Sequence, residues 1–451
     1  MTTLSTIATQ LGIDAPMPAC VIHGVCTDTR DFQPGALFVA IVGPRFDGHD
    51  FVEEAVALGA AAVLVSRPIP EVSVPVLQVA DTQVALAKWA KATRLASAAQ
   101  VVALTGSCGK TSTKTMLAAI LSPLAPTVAT LGNYNNEWGV PLTVLRLAPS
   151  DQFLVCEMGA RRPGDIAYLT DLVAPDVALI TNAGPAHLAG MGDVAGVART
   201  KGEIFQGLRP QGTAIINADD AYVDFWIDQL NEGQSFLLFG QGERAAVCAR
   251  GLTWDASHAA SFLLCLPTGE RHPVVLQWVG AHSINNALAA AAAAYALGVP
   301  GAHIAAGLSA SVPPAQRLLP VATPSGAVVI DDTYNANPAS TRAAIAALAQ
   351  HAGKTILVLG DMLDLGDQAV PAHAEIGRYV SECGISALYT CGDFAAHTGQ
   401  ACGDSARHFA KQADLLAVLS DVLAPGVTVL VKGSRAMGME HIVSALLEEK
   451  R

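Results

Sequence analysis

The sequence predicts an α/β chain folded as three domains, and three observations carry that prediction. Short apolar runs alternate with segments of helical spacing from Val101 onward, and the same rhythm restarts after Pro313-Pro314. The length, 451 residues, exceeds what one hydrophobic core organises, at roughly 100–200 residues per domain.

In chain order, a short helix is expected at Leu4 to Leu11, followed by strands in ALFVAIVG, AAVLVS and PVLQV around one helix at residues 51–58. That smaller α/β module ends near residue 82. From Val101, the runs VVALTG, FLVCEMG, DVALITNAG, GTAIINADD and SFLLFG each precede a helical pattern, the mark of a largely parallel sheet covered by helices. Residues 241–276 mix charged side chains with alternating runs such as SFLLCLP, which suits an antiparallel extension of the middle domain. After the proline pair, AVVIDDTYN, TILVLGDM, ALYTCGD and VTVLVKGS form a second parallel unit. The expected domains are residues 1–82, 83–313 and 314–451.

Hydrophobic residues make up 51% of the chain and charged ones 15%, so there is ample apolar surface to bury and no case for disorder. The net charge of −12 argues against nucleic acid or an anionic membrane as partner, since both are bound through clustered Lys and Arg. Nine cysteines without a Cys-x-x-Cys pair indicate neither a zinc site nor a disulfide framework; buried reduced thiols are expected. The Ala-dominated run at 287–295 is too short to span a bilayer and the N-terminus carries no basic-then-apolar leader. A cytoplasmic monomer without integral membrane association is therefore expected.

VVALTGSCGKTS, Val101 to Ser112, reads as a strand, a glycine-containing turn and a helix opening at Lys110 and Thr111. Leu104 stands where the usual G-x-x-x-x-G-K-[ST] loop has its first glycine, but the physical logic holds. Gly106 and Gly109 let backbone N–H groups face phosphate oxygens, and the helix N-terminus adds partial positive charge. Lys110 would hold the β- and γ-phosphates and Thr111 would place its hydroxyl on Mg²⁺. On this motif alone a signalling NTPase, a kinase and a ligase all remain open.

Glu157 ends the strand FLVCEMG and His187 follows DVALITNAG, both where strand C-termini converge on the ligand crevice of an open parallel sheet. A carboxylate and an imidazole there can coordinate Mg²⁺ or orient its water, although each alone is more often an ordinary loop residue. Lys201, flanked by Val197 and Ile204 at helical spacing, borders a core face; its plain reading is a stem lying on apolar surface with the ammonium in water.

TGSCGKTSTK, GNYNNEWGVPLT, EMGARRPGDI, NAGPAHLAGMGD with KGEIF, GAHSINNALAAAA, DDTYNANPAS, LGDMLDLG and VLVKGSRAMGMEHIV occur in this order over nearly the whole chain. Together they resemble the Mur ligases of bacterial peptidoglycan synthesis. Within that family, DDTYNANP, GDMLDLG and KGSR resemble the member that adds D-alanyl-D-alanine to UDP-N-acetylmuramoyl tripeptide. The resemblance implies an N-terminal domain holding the UDP end of the substrate, a central P-loop ATPase domain and a C-terminal Rossmann-like domain that closes over the site. It implies ATP and Mg²⁺ as cofactors, those two substrates as partners, and an acyl-phosphate route to the amide.

Carried over position by position, the resemblance gives Gly106, Ser107, Cys108, Gly109, Lys110, Thr111 and Ser112 to the ATP phosphates. It gives Thr111, Glu157, His187 and Lys201 to metal, with Lys201 matching a lysine that family members carry as a carbamate. Asn286 and His282 match the adenine contacts, though Ser283 stands where Asn is usual; Ser283 or Asn285 capping the helix fits the same residues. Arg317 and Asp332 match nucleotide contacts from the C-terminal domain, although AQRLLP departs from the usual Gly-Arg pairing. Thr29, Arg30 and Asp47 fall in segments, TDTR and GPRFDGHDF, that resemble UDP-binding ones, with Asp47-Gly48 also readable as a plain turn. Asn337 and Lys432 match residues facing the reacting centre, Asn135 and Asn136 fall on the acceptor side, Ser434 and Arg435 are given to substrate, and Lys110, Lys201, His187 and Lys432 are the implied catalytic set. The rivals are a sister or folylpolyglutamate-type ligase with another amino-acid acceptor, and a P-loop switch protein that makes no bond.

Overall fold

The computed structural model describes residues 2–14, 16–43, 46–255 and 259–448. Among the described residues three large sheets organise it, besides a two-stranded ribbon of Thr2–Thr3 and Val21–Ile22. The first is a four-stranded parallel sheet, Gly24–Cys26, Ala36–Val39, Ala62–Val65 and Val76–Gln78, in sequence order. Helix Leu4–Leu11 buries Leu4, Ile7, Ala8 and Leu11 against it, which is the i, i+3, i+4, i+7 stripe of an amphipathic helix.

Helix Thr82–Ala96 joins this body to the next. Asp81 caps it by accepting from the N–H groups of Gln83 and Val84, and its two faces go to different partners. Trp89 packs in the first core and Ala90 in the second, while the buried Arg94 donates to the carbonyls of Val173 and Ala174.

The second sheet has nine strands. Gln100–Thr105, Phe153–Glu157, Val177–Ile180 and Thr213–Asn217 are parallel, as suits apolar runs buried on both faces, and the partly exposed Ser235–Gly240 continues the parallel order. Val247–Trp254, Ala259–Cys265 and Arg271–Val279 extend it antiparallel to one another. Helices Lys110–Leu121 and His282–Ala296 cover one face; every residue from Ala287 to Ala294 is fully buried, and all but Leu288 are alanines.

The third sheet has six strands. Val328–Asp332, Val427–Lys432, Lys354–Leu359, Ala387–Cys391 and Ala406–Phe409 lie parallel in that spatial order, with Leu319–Ala322 as an antiparallel edge. Among the described residues no helix is long and apolar enough to cross a membrane.

Candidate active site

The strand ends Thr105, Glu157, Ile180 and Asn217 stop on one side of the central sheet, and the other two bodies lean over that side. The result is a cleft of about 2000 Å³ lined from all three. Thr29 and Arg30 line it from the first body; Ser107 to Ser112, Asn135, Asn136, Glu157, His187, His282 and Asn286 from the second; and Arg317, Asp332, Asn337 and Lys432 from the third.

The phosphate loop is built on two glycines that no other residue replaces. Gly106 has φ +147° and Gly109 φ +81°; a Cβ on the first would strike the Thr181 hydroxyl, and on the second the Asn286 side-chain oxygen. The strand end Thr181–Asn182 braces the loop. Asn182 Oδ1 accepts from the Cys108 N–H at 3.0 Å, and the Thr181 hydroxyl donates to the Cys108 carbonyl at 2.6 Å. Gly109 then caps helix Lys110–Leu121 with no side-chain bond to its first turn, so those amides are left for an anion. The Lys110 ammonium folds back to donate to the Gly106 carbonyl at 2.7 Å, and burial pushes its pKa down.

Glu157 is 2% exposed. Its Oε1 accepts from Asn135 Nδ2 at 2.7 Å, whereas its Oε2 has no hydrogen-bond partner and lies 3.5 Å from the Lys114 ammonium. Lys114 was not singled out from the sequence, although it stands one helical turn after Lys110 on a face that otherwise buries Met116, Leu117, Ile120 and Leu121. The bracing pair Thr181 and Asn182 also escaped notice; their position at a strand end beside the loop was the available signal.

His187 is left-handed at φ +53° and starts the short helix Leu188–Met191. Burial, then the Lys110 and Lys201 charges, push its pKa down to about 4, so the ring is neutral at neutral pH. Its Nδ1 lies 3.9 Å from Asp364 of the third body. Lys201 is 2% exposed, which overturns the expectation of an ammonium reaching water. Burial, followed by the Lys110 charge, brings it down to about 7. Among the described residues no group of three or more His, Cys, Asp and Glu forms a ready-made metal cluster.

The third body meets the loop directly. Arg317 Nη2 donates to the Thr111 hydroxyl at 3.1 Å and its guanidinium stacks 4.0 Å over the Tyr334 ring. Asn337 caps its own helix and places its side-chain amide 3.4 Å from the Cys108 thiol. Lys432, 2% exposed, is paired with Asp332 at 2.6 Å and donates to the Asn335 carbonyl at 2.8 Å, so Asp332 and Lys432 enter the cleft as a neutral pair. His282 sits near both, with its pKa lowered by burial.

Several expected residues are placed elsewhere. Asp47 accepts from the His49 N–H and ring and from Arg67, which makes the turn reading the one observed; Pro44 and Arg45 of the same motif lie outside the described residues. Ser434 is buried, bonded to the Leu363 N–H and the Ala336 carbonyl, and Arg435 reaches Gln316 and Glu440; neither lines the cleft. Helix His282–Ala296 has Ala281 at its cap without a side-chain bond. Ser283 instead donates back to Val279 and Asn285 accepts from Gln241, so neither is the cap.

The chain matches the family descriptions "Mur ligase family, catalytic domain" over residues 21–94, "Mur ligase middle domain" over 104–294 and "Mur ligase, glutamate ligase domain" over 316–435. It is 40% identical over 448 residues to the UDP-N-acetylmuramoyl-tripeptide–D-alanyl-D-alanine ligase of Escherichia coli (strain K12), with 99% of this chain and 98% of that one covered. It is similar to the crystal structure of MurF from Acinetobacter baumannii, with TM-score 0.91, 36% identity and 99% of each chain covered. The MurF ligase of Thermotoga maritima in complex with ADP follows at TM-score 0.82 and 28% identity, over 94% of this chain and 96% of that one.

Proposed function

The chain belongs to the Mur ligase family, and we infer from that premise that it joins D-alanyl-D-alanine to UDP-N-acetylmuramoyl tripeptide with ATP, yielding the pentapeptide, ADP and phosphate. The observation that carries this reading is one cleft of about 2000 Å³ lined by all three bodies around a phosphate loop. That exceeds the roughly 300–1,000 Å³ of a single small-molecule pocket and suits a nucleotide, a sugar-linked peptide and a dipeptide held together.

In the proposed reaction the tripeptide carboxylate displaces ADP from the terminal phosphorus of ATP, giving an acyl phosphate. The D-alanyl-D-alanine amine then attacks its carbonyl carbon, and phosphate leaves as the amide forms. No enzyme nucleophile is needed; the chain positions anions and offsets their repulsion. Lys110 exchanges the Gly106 carbonyl for phosphate oxygens, the helix amides after Gly109 hold the same anion, and Arg317 approaches it from the third body. Lys432 keeps the Asp332 carboxylate ordered at the cleft wall. Thr29 and Arg30 face the UDP end, and Asn135, Asn136 and Asn337 the acceptor side.

Mg²⁺ fits the donors present: the unbonded Glu157 Oε2 and the Thr111 hydroxyl match its preference for one or two protein oxygens beside phosphate. When bound it would neutralise phosphate charge. Lys201, brought down to about 7, is substantially a free amine at neutral pH, the form that adds carbon dioxide to give a carbamate and a proton. The proposed working form is a monomer in the cytoplasm, where ATP is supplied.

The test is product mass after incubation with ATP, Mg²⁺, the UDP-tripeptide and, in turn, D-alanyl-D-alanine, D-glutamate, L-alanine and a diamino acid. Product only with the dipeptide is expected; product only with another acceptor moves the chain to a sister ligase.

A further inference from the structure

Helix Lys110–Leu121 carries two lysines one turn apart, and the structure gives them different tasks. Lys110 serves the phosphate loop. Lys114, 5% exposed, donates to the Gly132 carbonyl at 3.1 Å and stands 3.5 Å from Glu157 Oε2. We propose that Lys114 is a positioning residue, the counter-charge that holds the Glu157 carboxylate in place until a divalent cation takes its unbonded oxygen.

Three features argue for this. A buried carboxylate is costly unless paired, and among the described residues the ion pair of Glu157 is with Lys114. At 3.5 Å the pair is longer than the roughly 2.7–2.9 Å of a good charged hydrogen bond, so Lys114 supplies charge without occupying the lone pairs of Oε2. The other oxygen is pinned by Asn135, and the backbone N–H of Glu157 is fixed by the Thr130 hydroxyl at 3.0 Å. The carboxylate is therefore pinned at one oxygen, while the other is buried without a hydrogen-bond partner on a residue that lines the cleft. A cation arriving at Oε2 meets a like charge a few ångströms away, so Lys114 also moderates the cation's affinity.

The proposal rests on the reading of Glu157 as a cation ligand, and the experiment separates the two. Mg²⁺ would be titrated calorimetrically into the ADP-saturated full-length enzyme at pH 8, for wild type, Lys114→Met, Lys114→Arg, Glu157→Gln and the Lys114→Met/Glu157→Gln double variant. Melting temperatures would be taken with and without Mg²⁺ and ADP. Lys114→Met is expected to tighten Mg²⁺ on the order of tenfold, as loss of a nearby like charge implies. It should also lower the metal-free melting temperature, and saturating Mg²⁺ with ADP should close that gap. Lys114→Arg should bind Mg²⁺ like wild type. The double variant should be at least as stable without metal as Lys114→Met alone, because removing the carboxylate removes the need for its partner; folding of the double variant where Lys114→Met fails is the same result.

Unchanged or weaker Mg²⁺ binding in Lys114→Met, or stability losses that simply add, would overturn the proposal and leave Lys114 as a brace for the Gly132 loop. Unchanged Mg²⁺ affinity in Glu157→Gln would instead remove Glu157 from the metal site.

Discussion

Gly109→Ala probes the nucleotide site most sharply, because the structure fixes both parts of its effect. Gly109 has φ +81°, and an added Cβ would fall on the Asn286 side-chain oxygen. Holding alanine in the left-handed region costs about 1–2 kcal/mol. The bound loop must keep its amides on phosphate, so whatever part of that strain the free loop sheds by relaxing falls on the complex. At about 1.4 kcal/mol per factor of ten, ADP affinity should drop about 5- to 30-fold, and further if displacement of Asn286 disturbs the adenine side. The assay is calorimetric ADP binding, with Gly269→Ala as control. Gly269 has φ +86° and open space around it, on a hairpin turn remote from the cleft, so its variant should lose stability but keep ADP affinity. A Gly109→Ala enzyme that is folded and binds ADP within twofold of wild type refutes the account of the loop.

Other variants address single residues. Lys201→Ala should lose most ligase activity and regain part of it with short carboxylic acids supplying the missing carboxylate; full activity without them removes the carbamate. Arg317→Lys keeps the charge but loses the planar stack on Tyr334, so ATP kcat/KM should fall at least several-fold, and an unchanged value takes Arg317 out of the site. Asp47→Ala should cost about 1 kcal/mol at pH 7, as loss of an N-cap does, read from denaturant midpoints. Hydrogen bonding from the His49 N–H holds the Asp47 pKa at about 2. Its ionised form therefore stabilises the fold above pH 4, and that contribution is lost as pH falls toward 2; the gap between wild type and variant should close over that window, and a gap independent of pH contradicts the capping role.

Where burial is two-sided and continuous the sequence is explicit: VVALTG, DVALITNAG and TILVLGDM read as strands because every residue faces a core. The strands that escape are short edges with one face in water. Ala406–Phe409 sets exposed Arg407 and His408 side by side between partly buried neighbours, Leu319–Ala322 carries Pro320, and Thr127–Ala129 has three residues; none has a run long enough to register. The site divides similarly. Residues on the phosphate loop and at strand ends were legible because backbone topology places them. Residues whose place depends on a side-chain partner were not: Lys201 and Lys114 are exposed-type residues buried by tertiary packing, and Asp47, Ser434 and Arg435 are drawn away by local hydrogen bonds. The left-handed Gln316 and Leu318, at φ +63° and +50°, aim Arg317 at Thr111, and nothing in AQRLLP announces that geometry.

The central claim, that one cleft couples ATP cleavage to amide formation, is tested most directly by phosphate release with ATP and Mg²⁺, with and without UDP-N-acetylmuramoyl tripeptide and D-alanyl-D-alanine. The account predicts fast release only when both substrates are present, with one phosphate per pentapeptide formed. Release at the same rate without either substrate would contradict it and leave a nucleotide switch in its place.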